Sequence, residues 1–133
     1  MSCNSAIYTV NSSMEEVPAQ ATIPFGNVVR RFGKKVQLEG GSIVLYGSGY
    51  YDVEVPATLI ATAAGDVTLQ LYQDGALVPG AEATETAAAA GDYITPKISC
   101  LVRNCGECCN SVLNLVVDSG VTIANVPAVV EKV

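Results

Sequence analysis

The sequence predicts a single all-β domain, a sandwich or barrel of short antiparallel strands. Apolar residues alternate with polar ones along much of the chain, and turn-forming Gly and Asp recur about every ten residues between these segments. Half of the 133 residues are hydrophobic, but few are aromatic and none is tryptophan. The core must therefore consist largely of aliphatic and β-branched side chains, which fit the pleated surface of a strand.

The clearest single element is a β-hairpin in the middle of the chain. Apolar residues occupy every second position from Val67 to Leu71, as in a strand with one buried side. Asp74-Gly75 follows, and these residue types suit a type I′ turn because both of its central positions need positive φ. Ala76–Val78 is the predicted return strand, and we expect Pro79-Gly80 to end it.

Further turns separate further strands. Tyr46–Gly49 lies between two of them and Asp118–Gly120 between two others; the strands are Ser42–Leu45, Tyr50–Val55, Val112–Val117 and Val121–Val126. The helical signal is confined to Glu85–Ala90, which Gly91 interrupts before a helix could be sustained. We expect a loop or strand edge there, with a single helical turn as the alternative.

Two predicted strands are apolar on both sides. Ile43–Tyr46 and Leu115–Val117 are uninterrupted apolar runs. An isolated sandwich would leave one side of such strands in water, and large exposed apolar patches usually mark association surfaces. We therefore expect the chain to associate with copies of itself, although this argument does not give the number of subunits.

The charge of the chain argues against nucleic acid as a partner. The net charge is −6, and an acidic protein repels phosphate backbones. Four of the seven basic residues nevertheless lie in one six-residue stretch: Arg30, Arg31, Lys34 and Lys35. This stretch is either a solvated hairpin end or a docking site for an acidic partner.

The sequence also indicates where the protein is made. Its first residues lack the basic start and apolar run of a secretory signal. No segment approaches the roughly 18 apolar residues that a membrane-spanning helix requires. We expect a soluble protein that is synthesised in the cytoplasm and does not bind a membrane.

The cysteines allow several interpretations. Cys100, Cys105 and Cys108 have the spacing of three iron–sulfur ligands in plant-type ferredoxins, but no cysteine follows Cys109 to supply the fourth. Zinc would need a second pair of donors, and histidine is absent. Three subunits could pool Cys105, Cys108 and Cys109, or a reversible disulfide could form. We favour a tight turn with reduced thiols, no metal and no cofactor, with Cys100 as a small buried hydrophobe.

Catalysis is not expected. Without histidine there is no Ser-His-Asp or Cys-His pair to activate a nucleophile. The carboxylates are spread singly over strands and turns, as Asp52 and Glu54 are, and the glycines match no phosphate-binding loop. We predict that the protein is not an enzyme and has no catalytic residues.

Three segments resemble a known family. Gly49–Val53, Thr62–Gly75 and Val78–Ala81 look like the jelly roll of tumour-necrosis-factor and complement globular heads. The likeness is to the bacterial and bacteriophage branch, which includes heads of exosporium collagen-like proteins and small phage structural proteins. Its most specific parts are the Gly-Tyr-Tyr-x-Val strand and the Gln-Asp-Gly hairpin, and it extends more loosely from Ala6 to Val133. The resemblance implies an antiparallel jelly roll of about ten strands that assembles as a homotrimer.

The resemblance also implies a function. The chain has no Gly-X-Y collagen stalk; residues 1–35 instead supply an N-terminal strand and a basic attachment segment of the same domain, and residues 36–133 form the jelly-roll body. A trimeric head without a stalk suits a virion protein that decorates or stabilises a bacteriophage capsid or forms a head-fibre tip. Its partner would be the major capsid protein or another virion component.

The alternative is a receptor- or glycan-binding head on a phage, spore or cell surface. It would contact a host surface glycan through loop tips such as Asn104–Asn110.

Overall fold

A computed structural model describes residues 5–104 and 110–133, which contain strands and no helix. The all-β prediction is therefore confirmed. Fourteen strands occur in the described residues, against about ten expected, because short pieces such as β2, β3 and β11 add to the main strands. The strands are β1 (Ala6–Asn11), β2 (Glu16–Val17), β3 (Ala21–Ile23), β4 (Asn27–Phe32), β5 (Val36–Glu39), β6 (Ser42–Leu45), β7 (Gly49–Pro56), β8 (Thr58–Ala61), β9 (Gly65–Gln73), β10 (Ala76–Ala87), β11 (Tyr93–Ile94), β12 (Lys97–Asn104), β13 (Ser111–Val117) and β14 (Val121–Lys132).

The strands form two antiparallel sheets, which pack as the expected jelly-roll sandwich. In the eight-stranded sheet, here called the front sheet, the order around the second half of β14 is β4-β1-β14-β7-β12. The first half of β14 pairs with β8 and β2, and β11 pairs with β8. The six-stranded back sheet has the order β10-β9-β13-β6-β5, with β3 also paired to β13. None of the described residues forms a helix that could cross a membrane.

A single apolar core lies between the sheets. Alternate residues of most main strands point into it, which is the pattern that a two-layer sandwich imposes, whereas β4 is exposed along its whole length. In β13 these residues are Leu113, Leu115 and Val117, all fully buried, and β7 contributes Tyr51 and Val53 in the same way. The intervening residues consequently point away from the core.

The central hairpin is confirmed, but its second strand is longer than predicted. Asp74 and Gly75 have φ of 53° and 83°, as the turn requires. Pro79-Gly80 does not end the return strand: the register shifts between Leu77 and Glu82, and pairing with β9 resumes as far as Ala87. Pairing with a long neighbouring strand therefore overrides the local signal, and Pro79-Gly80 forms an irregularity within β10.

The apolar surface predicted for β6 is not found there. Ile43, Val44 and Leu45 are all buried within the chain, Val44 at 7 % exposure. The reason is that β6 lies between β5 and β13, where Val44 pairs with both Gln37 and Val112. The exposed apolar residues that could support association lie mainly on the front sheet.

The interpretation of the basic stretch as a hairpin end is also wrong. β4 pairs with β1 in the front sheet, whereas β5 pairs with β6 in the back sheet. The chain therefore crosses from one sheet to the other between Phe32 and Val36, passing through Gly33 with a φ of 80°.

Replacing Gly75 with valine should reduce the free energy of unfolding by about 1–2 kcal/mol, because a side chain with Cβ branching resists positive φ. Beyond the adjacent residues of the chain, a Cβ at Gly75 would meet nothing within 4 Å, so the loss would be conformational and not steric. Gly75→Asn is the matched control, since asparagine tolerates this conformation. Denaturant unfolding at one protein concentration measures both variants, and equal stabilities would contradict the prediction.

Candidate assembly surface

The side of the front sheet that faces away from the core is the candidate functional surface, and we call it the front face. Cross-strand neighbours in an antiparallel sheet point to the same side, so the registers define its members. One row crosses five strands in the order Arg30, Tyr8, Val129, Glu54, Ser99. A second row runs Phe32, Ala6, Glu131, Asp52, Leu101.

Large apolar side chains are exposed on the front face. Phe32, Leu101 and Tyr50 are 60 %, 56 % and 50 % exposed, and Tyr8 and Val129 are exposed to a smaller degree. At the β4 end of the face, a groove of about 520 Å³ is lined by Ala6, Ile7, Tyr8, Arg30, Arg31, Phe32 and Val129. Because exposed apolar groups often occur at association surfaces, we take the front face as the candidate surface.

The outward side of the back sheet has a different character. Between β9 and β10, the Thr68 and Thr84 hydroxyls are 2.8 Å apart, and the Gln70 amide donates to Glu82 at 3.1 Å. The Thr86 hydroxyl donates to Asp66 at 2.6 Å. These polar groups bond to one another across the strands and remain compatible with water. This part of the back sheet is therefore polar, and the front sheet is the candidate association surface.

The Gly-Tyr-Tyr-x-Val motif links the front face to the core. Tyr51 is fully buried; its hydroxyl donates to the Gly47 carbonyl at 2.6 Å and accepts from the Gly47 N–H at 3.1 Å. The adjacent Tyr50 points outward on the front face. The two tyrosines therefore have separate roles: one fixes the turn before β7, and the other forms part of the surface.

The loop that was expected to contact a glycan starts from a buried residue. Asn104 is 2 % exposed; its amide donates to the Gly47 carbonyl at 3.0 Å and accepts from the Ser111 hydroxyl at 2.8 Å. The prediction that Asn104 contacts a glycan at a loop tip is therefore wrong. Residues 105–109 lie outside the described residues.

The structure divides the predicted basic docking cluster. Arg30 pairs with Tyr8 and shares the front face, whereas Arg31 pairs with buried Ile7 and lies on the opposite side of β4. Lys34 and Lys35 follow in the crossover between the sheets. All four side chains are exposed, and Arg30 and Arg31 both line the groove at the β4 end. Their docking role remains a prediction.

Of the clustered cysteines, Cys100 lies within the described residues. It is half-buried in β12 and packs against the core; burial raises the pKa of its thiol, and the negative charge of Asp52 raises it further. Within the described parts of the chain, no three His, Cys, Asp or Glu side chains are placed to hold a metal ion. The metal, iron–sulfur and disulfide alternatives for Cys105, Cys108 and Cys109 fall outside those parts.

Comparison with known proteins identifies the fold. No family model and no curated protein matches this sequence. Among solved structures, Eiger TNF from S. frugiperda superposes with a TM-score of 0.75 at 10 % identity, covering 98 % of this chain and 92 % of that one. Vertex protein P5 of PRD1 gives 0.68 at 15 % identity, covering 100 % and 99 %. The globular domain of zebrafish complement 1qA gives 0.66 at 8 % identity, covering 96 % and 95 %.

These likenesses show that the chain has the jelly-roll fold of tumour-necrosis-factor and complement heads, as the resemblance in the sequence implied. The same fold occurs in a vertex protein. None of the three names denotes an enzyme. At identities this low, the comparisons establish architecture and leave function to be argued from the surface.

Tyr51→Phe should reduce the free energy of unfolding by about 1–3 kcal/mol, because it leaves the buried Gly47 N–H without its acceptor. The variant should also change the response to alkali. Burial raises the pKa of Tyr51 above 10.0, an effect that its hydrogen bond to Gly47 only partly offsets. The folded chain therefore holds this proton more tightly than the unfolded chain, and stability is lost as pH rises above 10.

Because phenylalanine does not titrate, the unfolding free energy of the variant should fall less steeply in that range. Denaturant unfolding measured at several pH values checks this slope, with Tyr50→Phe on the exposed front face as the control. Parallel slopes for the variant and the wild type would contradict the assignment.

Proposed function

We propose that this protein is a non-enzymatic structural component of a virion, a homotrimeric jelly roll that decorates or stabilises a bacteriophage capsid or forms the tip of a head fibre. The observation that carries the proposal is the exposed apolar front face, which a protein acting alone in water would not retain. The likeness to vertex protein P5 of PRD1, over nearly the whole of both chains, supports a place on a particle surface.

Self-association follows from the front face. Phe32, Leu101 and Tyr50 lie on different strands of one sheet, so a single flat partner surface could cover them together. Obligate interfaces commonly bury more than about 2,000 Å² and resemble a core cut in half. Three copies, each covering part of the next, remove this surface from water and form a closed ring. The number three comes from the family resemblance in the sequence.

In this proposal, the basic residues outside the front face attach the protein to the capsid. Lys34 and Lys35 lie in the crossover between the sheets and remain exposed when the front faces meet, whereas Arg31 borders the groove at the β4 end. An acidic surface of the major capsid protein, or of another virion component, is the partner that these charges suit. The protein would be made in the bacterial cytoplasm and reside in the virion.

A receptor- or glycan-binding head on a phage, spore or cell surface is the competing function. The likeness to the TNF and complement domains supports this second candidate, because the present chain shares their fold. Binding to a glycan array without binding to purified capsids would favour this function over capsid decoration.

The purified protein should sediment at about three times the 13.8 kDa chain mass at micromolar concentration. Leu101→Asp should raise the concentration at which the assembly dissociates by at least about tenfold, or 1.4 kcal/mol, because it places a charge within the apolar contact. Leu77→Asp is the matched control: Leu77 is also an exposed strand leucine but belongs to the back sheet. Analytical ultracentrifugation over a dilution series measures both.

A 13.8 kDa species at micromolar concentration would exclude the trimer. A Leu77→Asp variant as dissociated as Leu101→Asp would show that association does not use the front face.

Capsid binding should weaken in a Lys34→Gln/Lys35→Gln variant and should decrease with salt in the wild type, because exposed charges are screened within about 10 Å at 0.1 M salt. Ala89→Glu/Ala90→Glu is the control, since it changes net charge by the same amount at exposed turn residues distant in sequence. Co-sedimentation with capsids that lack this protein provides the measurement. Equal losses in both variants would indicate a net-charge effect and not a docking site.

A further inference from the structure

One edge of the front sheet has a free side. β4 pairs with β1 on one side and with no strand of the described residues on the other, and all six of its residues are exposed. β12, at the far end of the order β4-β1-β14-β7-β12, differs because it contacts β10 of the back sheet and buries Ile98, Val102 and Asn104. β4 is therefore the edge of this sheet at which another strand could be added.

The register shows which backbone groups of β4 are free. An N–H of β14 donates to the Ser5 carbonyl at 2.8 Å, so the backbone groups of Ser5 face β14. These groups alternate in direction along an antiparallel strand, so those of Ile7 and Thr9 also face β14. Their partners on β4, Arg31 and Val28, then direct their N–H and C=O groups away from β1. Free groups of this kind are the template that an extended chain needs for strand addition.

The side chains of β4 make this edge basic. Arg30 and Arg31 are consecutive and point to opposite sides of the strand, because Arg30 pairs with Tyr8 and Arg31 with Ile7. Neither arginine has an ion-pair partner among residues 5–104 and 110–133. An added strand with two consecutive acidic residues would place one carboxylate on each side, beside these arginines.

The strands next to β4 do little to neutralise its charge. Neither β4 nor β1 contains a carboxylate, and the first in the front-sheet register is Glu131, on β14. β5, which contacts β4 from the back sheet, contains Glu39, and that carboxylate accepts a hydrogen bond from the Tyr46 hydroxyl. The arginines therefore remain available to carboxylates of another chain.

A second copy of β4 is a poor occupant of this edge. Antiparallel pairing of two β4 strands about their midpoint would bring Arg30 and Arg31 of both copies together. Like charges on facing strands are destabilising, and charged side chains on an edge commonly prevent such pairing. An acidic strand would be attracted at the same positions.

We propose that β4 receives an extended segment of the capsid component as an additional strand of the front sheet, with two consecutive acidic residues of that segment beside Arg30 and Arg31. This inference rests on the proposed attachment to a capsid and specifies how the attachment is made. Arg30, Arg31 and Phe32 also line the groove of about 520 Å³, which offers space for an apolar side chain of the added strand. Backbone hydrogen bonds at an edge lie within the sheet, so the added strand need not cover the front face.

A proline substitution tests the backbone pairing. Val28→Pro removes an N–H that faces away from β1, and edge strands tolerate proline at such positions. Val28→Ala is the matched control, because it also loses the valine side chain but keeps the N–H. Val28→Pro should bind capsids that lack this protein at least about tenfold more weakly than Val28→Ala, as measured by co-sedimentation over a concentration series.

A peptide probe requires no change to the protein. A blocked peptide of Val and Thr with two central Glu residues should protect the Val28 and Arg31 N–H groups of the wild type from hydrogen exchange, as detected by NMR. The same peptide with Lys in place of Glu, or with an N-methylated backbone, should give no protection. Attraction between charges without strand addition would not protect these backbone groups.

Each contrary result has its own meaning. A wild type that binds capsids, with Val28→Pro and Val28→Ala equal to each other, would overturn strand addition and leave the proposed function in place. A wild type that does not bind capsids would overturn the proposed attachment and this inference with it. A loss of self-association in Val28→Pro alone would assign the edge to a second copy and overturn the inference. If circular dichroism shows that Val28→Pro does not fold, the peptide decides, and absence of protection by the Glu peptide overturns strand addition.

Discussion

Backbone pairing of β14 with four other strands holds the front sheet together. This twelve-residue strand pairs first with β2 and β8, with a register shift against β8 between Ile123 and Asn125, and from Val126 onwards with β1 and then β7. The front face thus joins segments from the beginning, middle and end of the chain. Contacts this distant in sequence form late and slowly in folding, so the assembly surface exists only once nearly the whole chain is in place.

The two outer sides of the sandwich differ in their side-chain chemistry. The core takes alternate residues from most of the main strands, and the remaining residues are free to meet water or another protein. On the back sheet, Thr68, Thr84 and Gln70 bond across strands and suit water. On the front sheet, the corresponding positions hold Phe32 and Leu101. The difference in chemistry between the sides, more than the fold itself, argues for a component of a larger assembly.

Local chemistry made much of the fold predictable. The φ requirement of Asp74-Gly75 is a property of two residues, and the hairpin followed from it. Features that depend on distant pairing were missed: β10 continues past Pro79-Gly80 because β9 accompanies it, and the buried Val44 lies on a strand that pairs with Val112, which is remote in sequence. The candidate surface also depends on pairing between strands that are distant in sequence. The alternation about Leu101 indicates that it points outward, but nothing local places it on the same face as Phe32.

The two ends of the described chain meet at one corner of the sheet. The Lys132 N–H donates to the Ser5 carbonyl at 2.8 Å, and the Val133 N–H donates to the Tyr50 carbonyl at 2.9 Å. A short linker between these ends would therefore strain little of the structure, and the exposed Asp74-Gly75 turn offers a place to reopen the chain. A circularly permuted version of this scaffold could then display a grafted peptide from the hairpin tip, away from the corner where Ser5 and Val133 lie.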